Sequence, residues 1–278
     1  MKQYKKIRGA GRLYSFGKGE RRWSAAVYTA VRTATAGAAI YSVTHQSHGK
    51  AMLCLLALIL FLLPFLFERL MGISLSQPME ISIILFIFSS EILGEVFGFY
   101  MMFPLWDSLL HGVMGFIASA MGFALPHILC RDSYESTRLS PLCSAVVAFC
   151  FSMTVGTLWE LFEFCSDSLL HLDMQKDTVI DRISSVSLGH RSAGEAVSIE
   201  GISEVILKAD GGNTVSLSSY GINGYLDVGL SDTMGDLLIN LLGAVIFCTL
   251  GYIHLKSQSK ARIAGLFIPK VNKKRKNP

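Results

Sequence analysis

The stretch Leu230 to Ala244 reads LSDTMGDLLINLLGA, and the fold turns on what it forms. Asp232, Asp236 and Asn240 recur every fourth residue and so make one polar line on a helix, with Leu237, Leu238, Leu241 and Leu242 over the remaining surface. The segment continues as VIFCTLGYIHL and stops at a lysine-rich tail, the pattern of a membrane span entered from its polar end. Ionisable groups inside a span are costly, so they are expected to face the interior of a helix bundle and to find partners on other helices. Candidate partners stand at helical spacing elsewhere: Asp107 and His111 in WDSLLHG, Glu160 and Glu163 in LWELFEF, and Glu91 and Glu95 in SSEILGEVFG.

The composition agrees with a membrane setting. Of 278 residues, 51% are hydrophobic and 17% charged, and the mean hydropathy is +0.45, too apolar for an ordinary soluble domain. The formal charge of +4 is concentrated at the ends. Eight Lys and Arg precede Trp23 and eight follow Leu255. Basic flanks stay on the cytoplasmic side of a membrane, so both termini are expected there. Anionic headgroups and this topology rule account for the basic tails, and no nucleic-acid partner is expected. The cysteines (Cys54, Cys130, Cys143, Cys150, Cys165, Cys248) lie in or beside apolar segments without a CxxC and read as small hydrophobes.

Two basic tails on one side require an even number of crossings, and the pattern predicts an all-α six-helix transmembrane bundle. The spans are 24–43, 51–67, 83–100, 107–130, 142–170 and 234–255. Residues 24–43 are the marginal one, because Arg32 near their middle costs about 2.5 to 3.5 kcal/mol on insertion, and an interfacial helix is the rival reading. The organisation is a basic tail (1–23), helices one to five (24–170), an outer insertion (171–230), helix six (231–255) and a second basic tail (256–278). Arg69, Arg131 and Arg138 fall in inner loops, and Lys50 is an exception in an outer one. TVIDRISSVSL, EAVSIEGISEVILKAD and NTVSLSSYG are β-branched and separated by Gly-rich turns, which predicts a small β-rich insertion of roughly 50 residues with little core of its own.

With spans alternating in direction, Asp107, His111, Glu160, Glu163, Asp232, Asp236, Glu91 and Glu95 all fall in the outer half of the bilayer. Such a set cannot all ionise in a low dielectric; members must be protonated, hydrogen-bonded or bound to a cation. Asp107, His111, Glu163 and Asp236 are the candidate ligands of a divalent metal, with Glu160 or Glu163 as general base and Asp232, Asn240, Glu91 and Glu95 as further polar groups. A hydrogen-bond network that fixes helix register is the alternative. An ion pair of Glu91 with Arg32, and close helix packing at Gly94 and Gly98, are the plainer expectations for those residues.

WDSLLHGVMGF, GTLWELFEF and LDVGLSDTMGDLLINLLGA together resemble the YjdF-like family of bacterial inner-membrane proteins. More distantly they resemble the VanZ-like family, whose pattern runs Asp-x-x-x-His, a membrane Glu, then Asp-x-x-x-Asn-x-x-Gly-Ala. The resemblance falls on Asp107 and His111, on Glu160 or Glu163, and on Asp236, Asn240, Gly243 and Ala244. It implies a membrane fold. VanZ-like members are associated with glycopeptide resistance and cell-envelope effects, and YjdF-like members have no established activity. Three functions follow for test: a metal-dependent protein acting on an envelope lipid or lipid-linked glycan, an extracytoplasmic binding or scaffold protein, and a proton- or cation-coupled transporter.

Overall fold

The computed structural model describes residues 20–129, 139–189, 194–257 and 262–271. Residues 1–19 of the first basic tail, 258–261 and 272–278 of the second, and Cys130, Arg131 and Arg138, lie outside the described residues. The chain forms two compact units, Met1–Met153 with Asn240–Pro278, and Thr154–Ile239.

In the first unit the helices are α1 (Glu20–Thr44), α2 (His48–Leu60), α3 (Leu63–Met71), α4 (Gln77–Ile87), α5 (Phe99–Met102), α6 (Trp106–Gly122) and α7 (Leu125–Leu129), with a π-helix (Phe88–Val96) continuing α4. The opening half of α8 (Pro141–Leu170), the closing part of α9 (Leu230–Ser257) and α10 (Arg262–Phe267) complete it. Strands β1 (Ile73–Ser74) and β8 (Lys270–Val271) pair antiparallel across nearly the length of the chain, a contact that two-residue strands do not announce locally.

Local chemistry sets the helix ends. Pro64 and Pro78 stand in the first turns of α3 and α4, where a missing N–H costs nothing. Gly72 closes α3 at φ 62°, a left-handed position that glycine takes without strain. Before Pro141, the Ser140 hydroxyl accepts the Cys143 N–H at 3.1 Å and caps α8.

Among the described residues, three helical runs are long and apolar enough to cross a membrane: His48–Met71, Pro141–Leu170 and Leu230–Ser257. They cover the second, fifth and sixth predicted spans. The first predicted span is a 25-residue helix whose buried face carries Thr35 and Ser42 beside Val31, so it packs on α2 and α4 while lacking their apolarity. The third is divided between α4 and the π-helix, and the fourth between α6 and α7.

The core of this unit gathers Phe61, Met79, Ile84, Ile92, Phe123 and Phe247. Phe247 meets Phe116 edge-on, with centroids 4.7 Å apart at 79°, and Phe116 meets Phe267 at 5.4 Å and 89°, a geometry favoured by the ring quadrupoles. Backbones cross closely around α6. A Cβ on Gly115 would stand 2.2 Å from the Asn240 carbonyl oxygen, and one on Gly243 would stand 2.1 Å from that of Gly112. Glycine is therefore required where α6 and α9 cross, the small-residue contact typical of helices in lipid. The Gly115 carbonyl also accepts hydrogen bonds from the Ser119 and Ser152 hydroxyls, at 2.7 and 2.9 Å, so α8 is held to the same point.

The second unit contains the closing half of α8, the opening of α9 and six short strands between them. These are β2 (Val179–Ile180), β3 (Ile183–Ser185), β4 (Val197–Ile199), β5 (Ile206–Lys208), β6 (Thr214–Ser216) and β7 (Tyr225–Leu226), paired antiparallel as β2–β7, β3–β4 and β5–β6. Between β5 and β6 the predicted turn is present. The Ala209 N–H donates to Asn213 O at 2.9 Å, and Gly211 and Gly212 take φ of 93° and 83°. β2–β7 joins the two ends of the insertion. Most of its side chains are exposed, as expected of a segment with little core.

Carboxylates tie this insertion to the helix ends. Asp167 accepts the Met174 and Gln175 N–H groups at 2.7 and 2.8 Å, Asp232 accepts that of Lys176 at 2.7 Å, and Asp227 accepts from Ser231 at the start of α9. Asp177 sits among Asp173, Asp227 and Asp167. Desolvation, followed by these like charges, pushes its carboxyl above the usual aspartate value, against a hydrogen bond from the Gly229 backbone. A carboxyl raised in the folded state holds its proton more tightly there. Its contribution to stability is therefore fullest below the ordinary aspartate pKa, about 3.9, and declines as pH climbs from there to the raised value. Asp177→Asn is expected to flatten that decline and to slow hydrogen exchange of residues 172–178 at neutral pH. Unchanged exchange in the variant would show that the neighbouring charges do not load this segment.

Candidate site of buried carboxylates and an imidazole

In an apolar helical protein the informative positions are the polar side chains turned inward. On α9, Asp236 is 3% exposed and Asn240 fully buried, followed on the same face by Ala244 and Phe247, while Met234, Leu238, Leu242 and Ile246 are exposed. The predicted polar line is thus the inward face, and the leucines are the outer one. On α8, Glu160 and Glu163 are 4% and 6% exposed, whereas Leu158, Leu161, Phe162 and Phe164 point outward. Trp159 Nε1 donates to Glu163 Oε1 at 2.8 Å and fixes that carboxylate.

Within the first unit, Asp107 opens α6 and His111 follows one turn later, with His111 Nε2 3.6 Å from Asp107 Oδ1. The imidazole is buried and the carboxylate half-buried. At this distance the pair is an electrostatic contact rather than a hydrogen bond. His111 adjoins Gly112, where α6 and α9 cross, so the family-like Asn-x-x-Gly-Ala run on α9 has a packing explanation. Gly243 faces the Gly112 backbone, Asn240 presents its backbone oxygen to Gly115, and Ala244 is fully buried. The Asn240 amide nitrogen contacts Met153 Sδ at 3.6 Å, and its Oδ1 is buried with no hydrogen bond among the described residues. A wholly buried amide oxygen in that condition is a costly feature that a bound cation would relieve.

Asp232 is half-buried and engaged by Lys176, so it fastens the insertion. Glu91 is half-buried on the π-helix, and Glu95 is exposed. No ion pair joins Glu91 to Arg32 among the described residues. Arg32 instead lies 5.1 Å over the Tyr28 ring, and the Tyr28 hydroxyl donates to Glu80 at 2.8 Å. Gly94 does serve close packing, since the Tyr100 ring would stand 2.3 Å from a Cβ there. Gly98 does not; at φ 75° it starts a new helix with open space around it. Lys50, the exception among the loop charges, donates to the Val96 carbonyl at 2.7 Å, where a helix C-terminus favours a cation.

Three partners went unpredicted: Trp159, the Gly112 and Gly115 pair, and Ser152. Tryptophan four residues before a buried glutamate, and two glycines three apart on one helix, were the available signals.

Apolar helices able to span a bilayer, two of them with buried carboxylates, and a buried imidazole on α6 define a membrane protein with an ionisable interior. The chain belongs to the family described as predicted membrane protein (DUF2238), the YjdF-like family, whose family model matches residues 27–186. That match takes in Asp107, His111, Glu160 and Glu163, while Asp236 and Asn240 lie beyond it. No curated protein and no solved structure matches the chain.

Proposed function

We propose that the chain crosses a bacterial inner membrane six times with both termini cytoplasmic, and that Asp107, His111, Glu163 and Asp236 hold one divalent cation in the outer half of the bilayer. The burial of three carboxylates, Glu160, Glu163 and Asp236, is the observation that carries this reading. A buried carboxylate must be protonated, paired or metal-bound, because the desolvation penalty for an isolated charge is several kcal/mol or more. The donor set of carboxylates and imidazole, with the Asn240 oxygen close in sequence, suits a hard or borderline divalent ion such as Mn²⁺ or Zn²⁺. In this reading Glu160 or Glu163 acts as general base, and the ion polarises an ester or phosphoryl oxygen of a lipid or lipid-linked glycan. The substrate class is our reading of the outer-half placement that alternating spans imply and of the resemblance to the VanZ-like pattern.

Metal analysis tests the proposal. Protein purified in detergent without chelator, then exposed to Mn²⁺ or Zn²⁺ and desalted, is expected to retain one ion per chain. His111→Ala and Asp236→Asn are each expected to weaken binding about 100-fold or more, the scale on which loss of a metal's immediate surroundings is felt. Retention by both variants at the parent affinity, or no uptake by a parent that is monodisperse and helical, would overturn it.

A further inference from the structure

The first unit carries an apolar groove between α8 and α9. The faces Leu142, Ala145, Val146, Phe149 of α8 and Val245, Cys248, Thr249, Tyr252 of α9 line a shallow, open groove of about 310 Å³. Both helices contribute residues at i, i+3, i+4 and i+7, so each lines the groove with one continuous stripe about 10 Å long. Ala145 and Cys248, each 8% exposed, are its floor, and Leu142, Val146 and Val245 are its exposed rim. Small buried residues below and exposed branched ones above give the surface the relief of a furrow. One end is not apolar. Tyr252 lines the groove, Lys256 Nζ donates to the Tyr252 hydroxyl at 3.1 Å, and the ammonium lies 5.3 Å from the ring centroid. Lys256 itself is exposed and begins the basic C-terminal tail.

We propose that this groove binds an anionic phospholipid, one acyl chain between α8 and α9 and the phosphate on Lys256 and the Tyr252 hydroxyl. Charge complementarity selects this occupant. An apolar furrow on two membrane-crossing helices will meet acyl chains, and a cation at its polar end distinguishes an anionic headgroup from a zwitterionic one. The site is independent of the cation site proposed above and stands if that one fails.

Native mass spectrometry of the full chain, given phosphatidylglycerol or phosphatidylcholine with identical acyl chains, reads the result. The parent is expected to retain phosphatidylglycerol in preference, by about fivefold for one interfacial lysine. Lys256→Gln, an exposed change, is expected to remove that preference while leaving chain binding. Cys248→Phe, which fills the floor, is expected to abolish retention of both lipids. Ala145→Leu serves as a second filling variant where Cys248→Phe does not fold. Equal retention of the two headgroups by the parent, persistent binding in a folded filled variant, or a dimer that both excludes lipid and dissociates on filling the groove would each overturn the proposal.

Discussion

Gly243→Ala is expected to lower the stability of the protein by about 3 kcal/mol, and Gly243→Val to prevent recovery of a monodisperse protein from detergent. The cause is the approach of α9 to α6. A Cβ at this position would stand 2.1 Å from the Gly112 oxygen, 3.0 Å from its carbonyl carbon and 3.1 Å from the Phe116 nitrogen. All three are backbone atoms, so no rotamer change relieves the overlap and the helices must separate. Separation would also strain Gly115 against Asn240, where the corresponding gap is 2.2 Å. Loss of about 3 kcal/mol from a total of roughly 5 to 15 is a large fraction.

The same helix supplies its own control. Gly235 has nothing within 4 Å of an added Cβ, so Gly235→Ala is expected to be neutral or to gain up to about 1 kcal/mol from helix propensity. Thermal unfolding followed by size-exclusion chromatography separates the two. Equal midpoints for Gly243→Ala and Gly235→Ala would show that the crossing is looser than described.

Much of this arrangement is legible in the chain because hydropathy and spacing are local properties. The line Asp236–Asn240 faces inward as its four-residue period requires. The Ala209–Asn213 turn forms where Asp210-Gly211-Gly212 breaks two β-branched runs. Burial of Glu160 and Glu163 follows from their three-residue spacing among leucines and phenylalanines. What escapes is set by partners distant in the chain. The β1–β8 pairing depends on residues about 200 positions apart, and two-residue strands carry no periodicity. Asp232 has the same spacing as Asp236, yet the backbone of Lys176 claims it, because it lies at the helix end where the insertion returns. Gly98 and Gly94 look alike in sequence, but only Gly94 lies under an aromatic ring. The π-helix that carries Glu91 and Glu95 has no compositional mark at all.

The largest effect expected of any measurement is all-or-none, because a disulfide requires Cα atoms about 4.4 to 6.8 Å apart. Helix continuity motivates it. Asp236 lies one turn before Asn240, whose backbone faces Gly115, and His111 lies one turn before Gly115. Glu163 lies three turns beyond Ser152, which bonds the same Gly115 carbonyl. Cysteine pairs at positions 111 and 236, and at 111 and 163, in a chain otherwise free of cysteine, test whether these groups share one pocket. Ser119→Cys with the native Cys248 is the positive control, since those two side chains are hydrogen-bonded. Oxidation in membranes, or a short bifunctional thiol reagent where the Cα atoms stand beyond disulfide reach, is expected to link 111 with 236 in high yield. Efficient linkage of the control, with 111–236 and 111–163 joined neither directly nor by that reagent, would contradict a common site and leave these carboxylates as separate structural groups.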